Sequence, residues 1–184
     1  MSLSWLPNAI TGARILLIPP VLYCIFTEQF AVALALFLVA GFSDGLDGFL
    51  ARRFQWHSRL GGLLDPIADK LLVAGMFITL SMVGAIPVWL TVVVIGRDLT
   101  IIGGATAYHF LFGPVAGEPT MVGKFNTAVT LLFVSMVLCQ LASGWPPEPV
   151  LIVLGAATFV TAAVSGIDYV VSWAGRARKE SVSQ

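Results

Sequence analysis

Six long apolar runs, separated by short polar or Pro/Gly-rich breaks, organise this chain. They cover about Pro7 to Thr27, Phe30 to Arg53, Gly61 to Val83, Ile86 to Phe112, Met121 to Ser143 and Val150 to Trp173. A helix that crosses a bilayer needs about 20 mostly apolar residues, so each run predicts one transmembrane helix. The breaks GAIP, FGPVAGEPT and SGWPPEP fall where turns are required. The expected fold is an all-α integral membrane protein of six transmembrane helices, one domain over residues 1–184.

Composition agrees with the pattern. Of the 184 residues, 58% are hydrophobic and 11% charged, and the mean hydropathy is +0.92, a balance foreign to water-soluble domains. Ten basic and ten acidic residues give no net charge, which excludes a polybasic nucleic-acid binder. Cys24 and Cys139 lie inside apolar runs with no CxxC spacing, so they predict neither a redox pair nor a zinc site. The N-terminus MSLSWLPNAI lacks a basic region and a cleavage site, so the first helix is expected to stay in the mature protein.

The distribution of charge sets the orientation. Arg52, Arg53 and Arg59 flank one loop, Lys124 ends another, and Arg176, Arg178 and Lys179 follow the last run, whereas the alternate loops carry Glu28 and Glu148. The positive-inside rule then places both termini and the basic loops in the cytoplasm, on an inner (cytoplasmic) membrane. Trp5, Trp145 and Trp173 sit near span ends as interface anchors. His57 and His109 have no ligand-like neighbours.

Against this background four acids stand out in SDGLDGFLARRFQWHSRLGGLLDPIADKLL: Asp44, Asp47, Asp65 and Asp69. An ionised carboxylate at the centre of a membrane helix costs about 2.5 to 3.5 kcal/mol, so a chain keeps one only where cations or water meet it. At about 100° per residue, Asp44 and Asp47 share an arc of the second helix, and Asp65 and Asp69 share a face of the third. With the topology above, all four lie toward the cytoplasmic side, as do Asn8, Thr11, Arg14, Lys124, Asn126 and Asp168, with Arg97 and Asp98 nearer mid-membrane. A polar cavity open to the cytoplasm is expected.

Four carboxylates in one low-dielectric cavity raise one another's pKa and cannot all stay ionised alone. Divalent cations resolve the conflict, and an oxygen-only donor set suits magnesium or manganese. Two such ions bridged by shared carboxylates would clamp a phosphoryl group during in-line displacement. Gly48, Ala51 and Gly61 are small enough to admit a ligand to the backbone or to let helices pack closely. Arg52 could hold phosphate oxygens, or serve topology alone.

The spacing Asp44-x-x-Asp47-Gly48-x-x-Ala51-Arg52, then eight residues, Gly61-x-x-x-Asp65-x-x-x-Asp69, resembles the CDP-alcohol phosphotransferase signature at all eight of its defining positions. PNAITGAR, GRDLTI and GKFNTAV extend the likeness over most of the chain. The resemblance implies a six-helix, usually dimeric membrane enzyme that moves a phosphatidyl or related group from a CDP-linked donor to an alcohol and releases CMP. It implies that Asp44, Asp47 and Asp65 hold one metal and that Asp44, Asp65 and Asp69 approach a second. Asp69 matches the general base, and Gly48, Ala51, Arg52 and Gly61 match positions that receive the CDP moiety.

The N-terminal and third-helix segments are similar to the branch using CDP-diacylglycerol. Members that take glycerol 3-phosphate carry an arginine after the GRD-like segment and Lys-Thr at the start of the fifth helix. Here Gly103 and Gly104 and the form Lys124-x-Asn126-Thr127 stand instead. That form is similar to members whose acceptor is phosphatidylglycerol, giving cardiolipin. Arg97, Lys124, Asn126 and Arg14 are the candidate acceptor ligands, although Arg97 could equally pair with Asp98. Asp168 could partner Arg14 or Lys124. An ion transporter or channel is the competing class, but the opposite halves of the helices carry almost no polar side chains to line a path.

Overall fold

The computed structural model describes residues 6–54, 61–112 and 120–182, with side-chain surroundings defined over 12–43, 68–106, 110 and 120–172. These residues form six α-helices and, among the described residues, no strand: α1 Leu6–Phe26, α2 Phe30–Phe54, α3 Gly61–Met82, α4 Val88–Phe112, α5 Met121–Ser143 and α6 Glu148–Val182. The ends of five helices match the apolar runs closely. The exception is α6, which continues past Trp173 through AGRARKESV. Hydropathy ends there, but Ala, Arg, Lys and Glu are good helix formers, so helix and apolar run need not stop together.

Local backbone chemistry explains the stops. At the end of α1 the Gln29 N–H donates to the Cys24 carbonyl at 2.8 Å and the Glu28 N–H to Ile25 at 3.1 Å, which is a Schellman pair with Glu28 at φ 59°. The end of α3 repeats it: Ala85 donates to Leu80 at 2.9 Å and Gly84 to Ser81 at 3.2 Å, with Gly84 at φ 75°. Gly84 is the ordinary occupant of that left-handed position, and Glu28 is not. Inside α1, Pro19 and Pro20 leave the carbonyls one turn earlier without their helical donors.

By length and composition, three of the described helices can cross a membrane: Val88–Thr106, Met121–Ser143 and Glu148–Ser172. Gly12–Phe26 and Phe30–Ser43 are shorter apolar stretches. The chain divides into two compact units, residues 1–86 with 134–147 and residues 87–133 with 148–184. In the first, α1 packs against both α2 and α3, burying Val21 and Ile25, Phe37 and Ala40, and Leu72, Met76, Phe77 and Leu80.

In the second unit α4 packs on α6. The buried stripe of α6 is Gly155, Thr158, Ala162 and Ser165, small residues at helical spacing that let a neighbour approach. A Cβ on Gly155 would lie 3.4 Å from the Phe133 ring and 3.8 Å from Leu90. Trp89 and Phe159 meet edge to face at 5.5 Å on the same pair of helices. The large apolar side chains point the other way: Val153, Val160, Val164, Ile167 and Val171 of α6 are exposed, as are Val92, Leu99 and Phe110 of α4, the last at 81%. Small side chains inside and large apolar ones outside on α6 suit a helix whose surroundings are hydrocarbon.

Candidate active site

The motif is carried on the last turns of α2 and the first half of α3. Both segments are unbroken helix, so Asp44 and Asp47 (i, i+3) share one face of α2, and Asp65 and Asp69 (i, i+4) share one face of α3. The helix that packs against both is α1, which carries buried Arg14. Asp69 is half-buried. The side-chain surroundings of Asp44, Asp47, Gly48, Ala51, Arg52, Gly61 and Asp65 lie outside the described residues. The donor set that the two helices carry is four carboxylates, which fits a pair of hard divalent cations.

The second unit contains Arg97, Lys124 and Asn126, and here the side chains are defined. Arg97 is 8% exposed, one turn beyond Val94 on the buried stripe of α4. Its Nη1 donates to Asp98 Oδ1 at 2.6 Å. The Nε and Nη2 groups both donate to Ser165 Oγ, at 3.2 and 2.6 Å, and Ser165 is wholly buried. The guanidinium also stands over the Tyr169 ring, 5.8 Å from its centroid, within cation–π range. Of the two roles open to Arg97, the pairing with Asp98 is therefore realised. Among the described residues these bonds commit three of the five guanidinium N–H groups.

Next along the same unit, Asn126 is 3% exposed and its Oδ1 accepts from Thr161 at 3.0 Å, a bond that ties α5 to α6. Lys124 is exposed. One turn after Asn126, Thr130 is 4% exposed and its hydroxyl has no hydrogen-bond partner among the described residues. Asp168 is half-buried on α6. Sequence reasoning missed Ser165 and Tyr169. Their signal was present, since Thr158, Ala162, Ser165 and Tyr169 follow i, i+4, i+7, i+11 spacing on one face of an otherwise apolar helix.

Comparison with known proteins tests the resemblance of the motif. A family model described as CDP-alcohol phosphatidyltransferase matches residues 4–172, through both units. The chain belongs to the CDP-alcohol phosphatidyltransferase family. Among its relatives, a cardiolipin synthase (CMP-forming) of Rattus norvegicus is 34% identical over 180 residues, which is 89% of this chain and 60% of the relative. A CDP-diacylglycerol--glycerol-3-phosphate 3-phosphatidyltransferase of Aquifex aeolicus is 36% identical over 138 residues, 72% of each chain. A probable phosphatidylglycerophosphate synthase of Mycobacterium tuberculosis is 31% identical over 173 residues, 90% of this chain and 79% of the relative. The chain spans about three-fifths of the length of the cardiolipin synthase it matches.

Proposed function

We propose that this chain is a six-span enzyme of the inner membrane that transfers a phosphatidyl group from CDP-diacylglycerol to phosphatidylglycerol, giving cardiolipin and CMP. The observation that carries the reading is the eight-position motif, set on two helices whose turns put its acids in two same-face pairs, within a matched family. The names of the relatives support the donor and reaction class, and the Lys124-x-Asn126-Thr127 form favours the lipid acceptor over glycerol 3-phosphate.

In this reading Asp44, Asp47, Asp65 and Asp69 would hold two magnesium or manganese ions, whose charge would offset that of the diphosphate and of departing CMP. Asp69 accepts the proton of the acceptor hydroxyl. The resulting alkoxide attacks the phosphorus bonded to diacylglycerol, one P–O bond forms in line as the P–O–P link breaks, and CMP leaves with the electron pair. Gly48, Ala51 and Gly61 admit the cytidine diphosphate close to the backbone, and Arg52 binds its phosphate oxygens. Arg14, Arg97, Lys124 and Asn126 are proposed to face the acceptor.

The test is CMP release and lipid mass with purified protein, CDP-diacylglycerol, magnesium or manganese, and either acceptor. A four-chain lipid from phosphatidylglycerol is expected. Phosphatidylglycerophosphate from glycerol 3-phosphate would reverse the acceptor assignment, and no release of CMP with either would refute the reaction. Asp69→Asn should abolish turnover and leave donor binding measurable. Unchanged turnover in that variant would remove Asp69 as the base.

A further inference from the structure

The first turn of α5 is capped from another helix. Thr120 occupies the N-cap, its Oγ1 accepting from the Gly123 N–H at 3.1 Å while its carbonyl accepts from the Lys124 N–H at 3.1 Å. In a capping box, the side chain three residues on would reach back and accept from the N–H of the cap residue. Gly123 stands at that place and has no side chain. The Tyr169 Oη of α6 does this work instead, accepting from the Thr120 N–H at 3.4 Å.

The same phenol lies under the guanidinium of Arg97, so one side chain serves both the α5 cap and the buried cation. Space there is fully used. A Cβ on Gly123 would stand 3.3 Å from Tyr169 Oη, 3.4 Å from Arg97 Nη2 and 3.4 Å from Thr120 Oγ1, so three polar groups crowd the bare Cα of Gly123. Lys124, the next residue, projects from the turn that this arrangement fixes, and Ser165 one turn before Tyr169 holds the other edge of Arg97.

We propose that Tyr169 is a positioning residue that sets Arg97 and Lys124 in register with each other for the anionic acceptor, with Gly123 as the small residue that makes the register possible. The inference rests on the acceptor-side reading of Arg97 and Lys124 given above. Tyr169→Phe keeps the ring under Arg97 and deletes only the oxygen that closes the cap.

Two measurements on the full-length Tyr169→Phe protein test this, beside the parent. With phosphatidylglycerol and, separately, glycerol 3-phosphate as acceptor, the acceptor KM should rise about five-fold, the size of one modest hydrogen bond, while the KM for CDP-diacylglycerol stays unchanged. Hydrogen exchange across residues 120–126 should quicken by a similar factor, with the rest of α5 unaffected. A Gly123→Ala variant should give the same acceptor-selective rise by pushing the phenol aside. Donor and acceptor KM moving together, or unchanged exchange in the first turn of α5, would overturn the proposal. If the parent releases no CMP with either acceptor, the reaction assignment fails, and the exchange experiment still decides whether Tyr169 governs this turn.

Discussion

Replacing Ser165 by alanine deletes one oxygen atom and strands two charged donors. Ser165 Oγ accepts from Arg97 Nε at 3.2 Å and Nη2 at 2.6 Å, both groups being buried. Side-chain hydrogen bonds between membrane helices average about 0.6 kcal/mol with a ceiling near 1.7. Bonds to charged groups in water-soluble proteins run at about 1.5 to 3 kcal/mol. Two bonds that share one buried oxygen are each weaker than a separate bond, so together they contribute about 2 kcal/mol, toward the low end of what two such bonds would give independently. Serine and alanine differ little in volume, so cavity formation adds almost nothing. The expected outcome is a loss of about 2 kcal/mol, or about 30-fold in the folding equilibrium, measured by reversible unfolding in mixed micelles. In an Arg97→Met background the same Ser165→Ala change should cost under about 0.5 kcal/mol, because the double-mutant cycle isolates the pair. A Ser165→Ala cost of the same size in both backgrounds would refute the reasoning.

Other perturbations have opposite signs. Thr130→Val removes a buried hydroxyl without a partner among the described residues, so unfolding should show no loss and a gain of up to about 1 kcal/mol. Glu28→Gly should stabilise by about 0.5 to 1 kcal/mol, because Glu28 holds a left-handed backbone at φ 59° that glycine adopts without strain. Gly84→Ala should cost about 1 kcal/mol at φ 75°, and since no atom lies within 4 Å of a Cβ there, the whole effect is backbone strain and should survive substitution of its neighbours.

Much of this molecule was legible in the chain. Helix positions follow from apolar runs bounded by Pro and Gly, which act locally, so five of the six helices end within a residue or two of the sequence expectation. The extent of α6 escaped because propensity, not hydropathy, carries it beyond Trp173. Which faces are buried was also obscure. In water an apolar stripe marks the inside, but in hydrocarbon both faces of a helix are apolar and the buried one is marked by small residues, as Gly155, Ala162 and Ser165 mark α6.

The motif acids needed no fold to be found, since four carboxylates in an apolar setting are a local anomaly of composition. Their pairing on α2 and α3 follows from helical pitch alone once the segments are helices. The fate of Arg97 could not be read that way. A guanidinium can take a neighbouring acid, a phosphate or a distant hydroxyl, and its choice of Ser165, 68 positions along the chain, depends on how closely α4 approaches the small-residue face of α6. The cap on Thr120, supplied by Tyr169 from 49 positions away, likewise exists only because α6 brings a phenol to the turn where Gly123 has no side chain. Sequence by itself determined the helices, the acids and the family; tertiary structure decided which polar groups meet, because a hydrogen bond depends on distance and direction in space, which chain order does not specify.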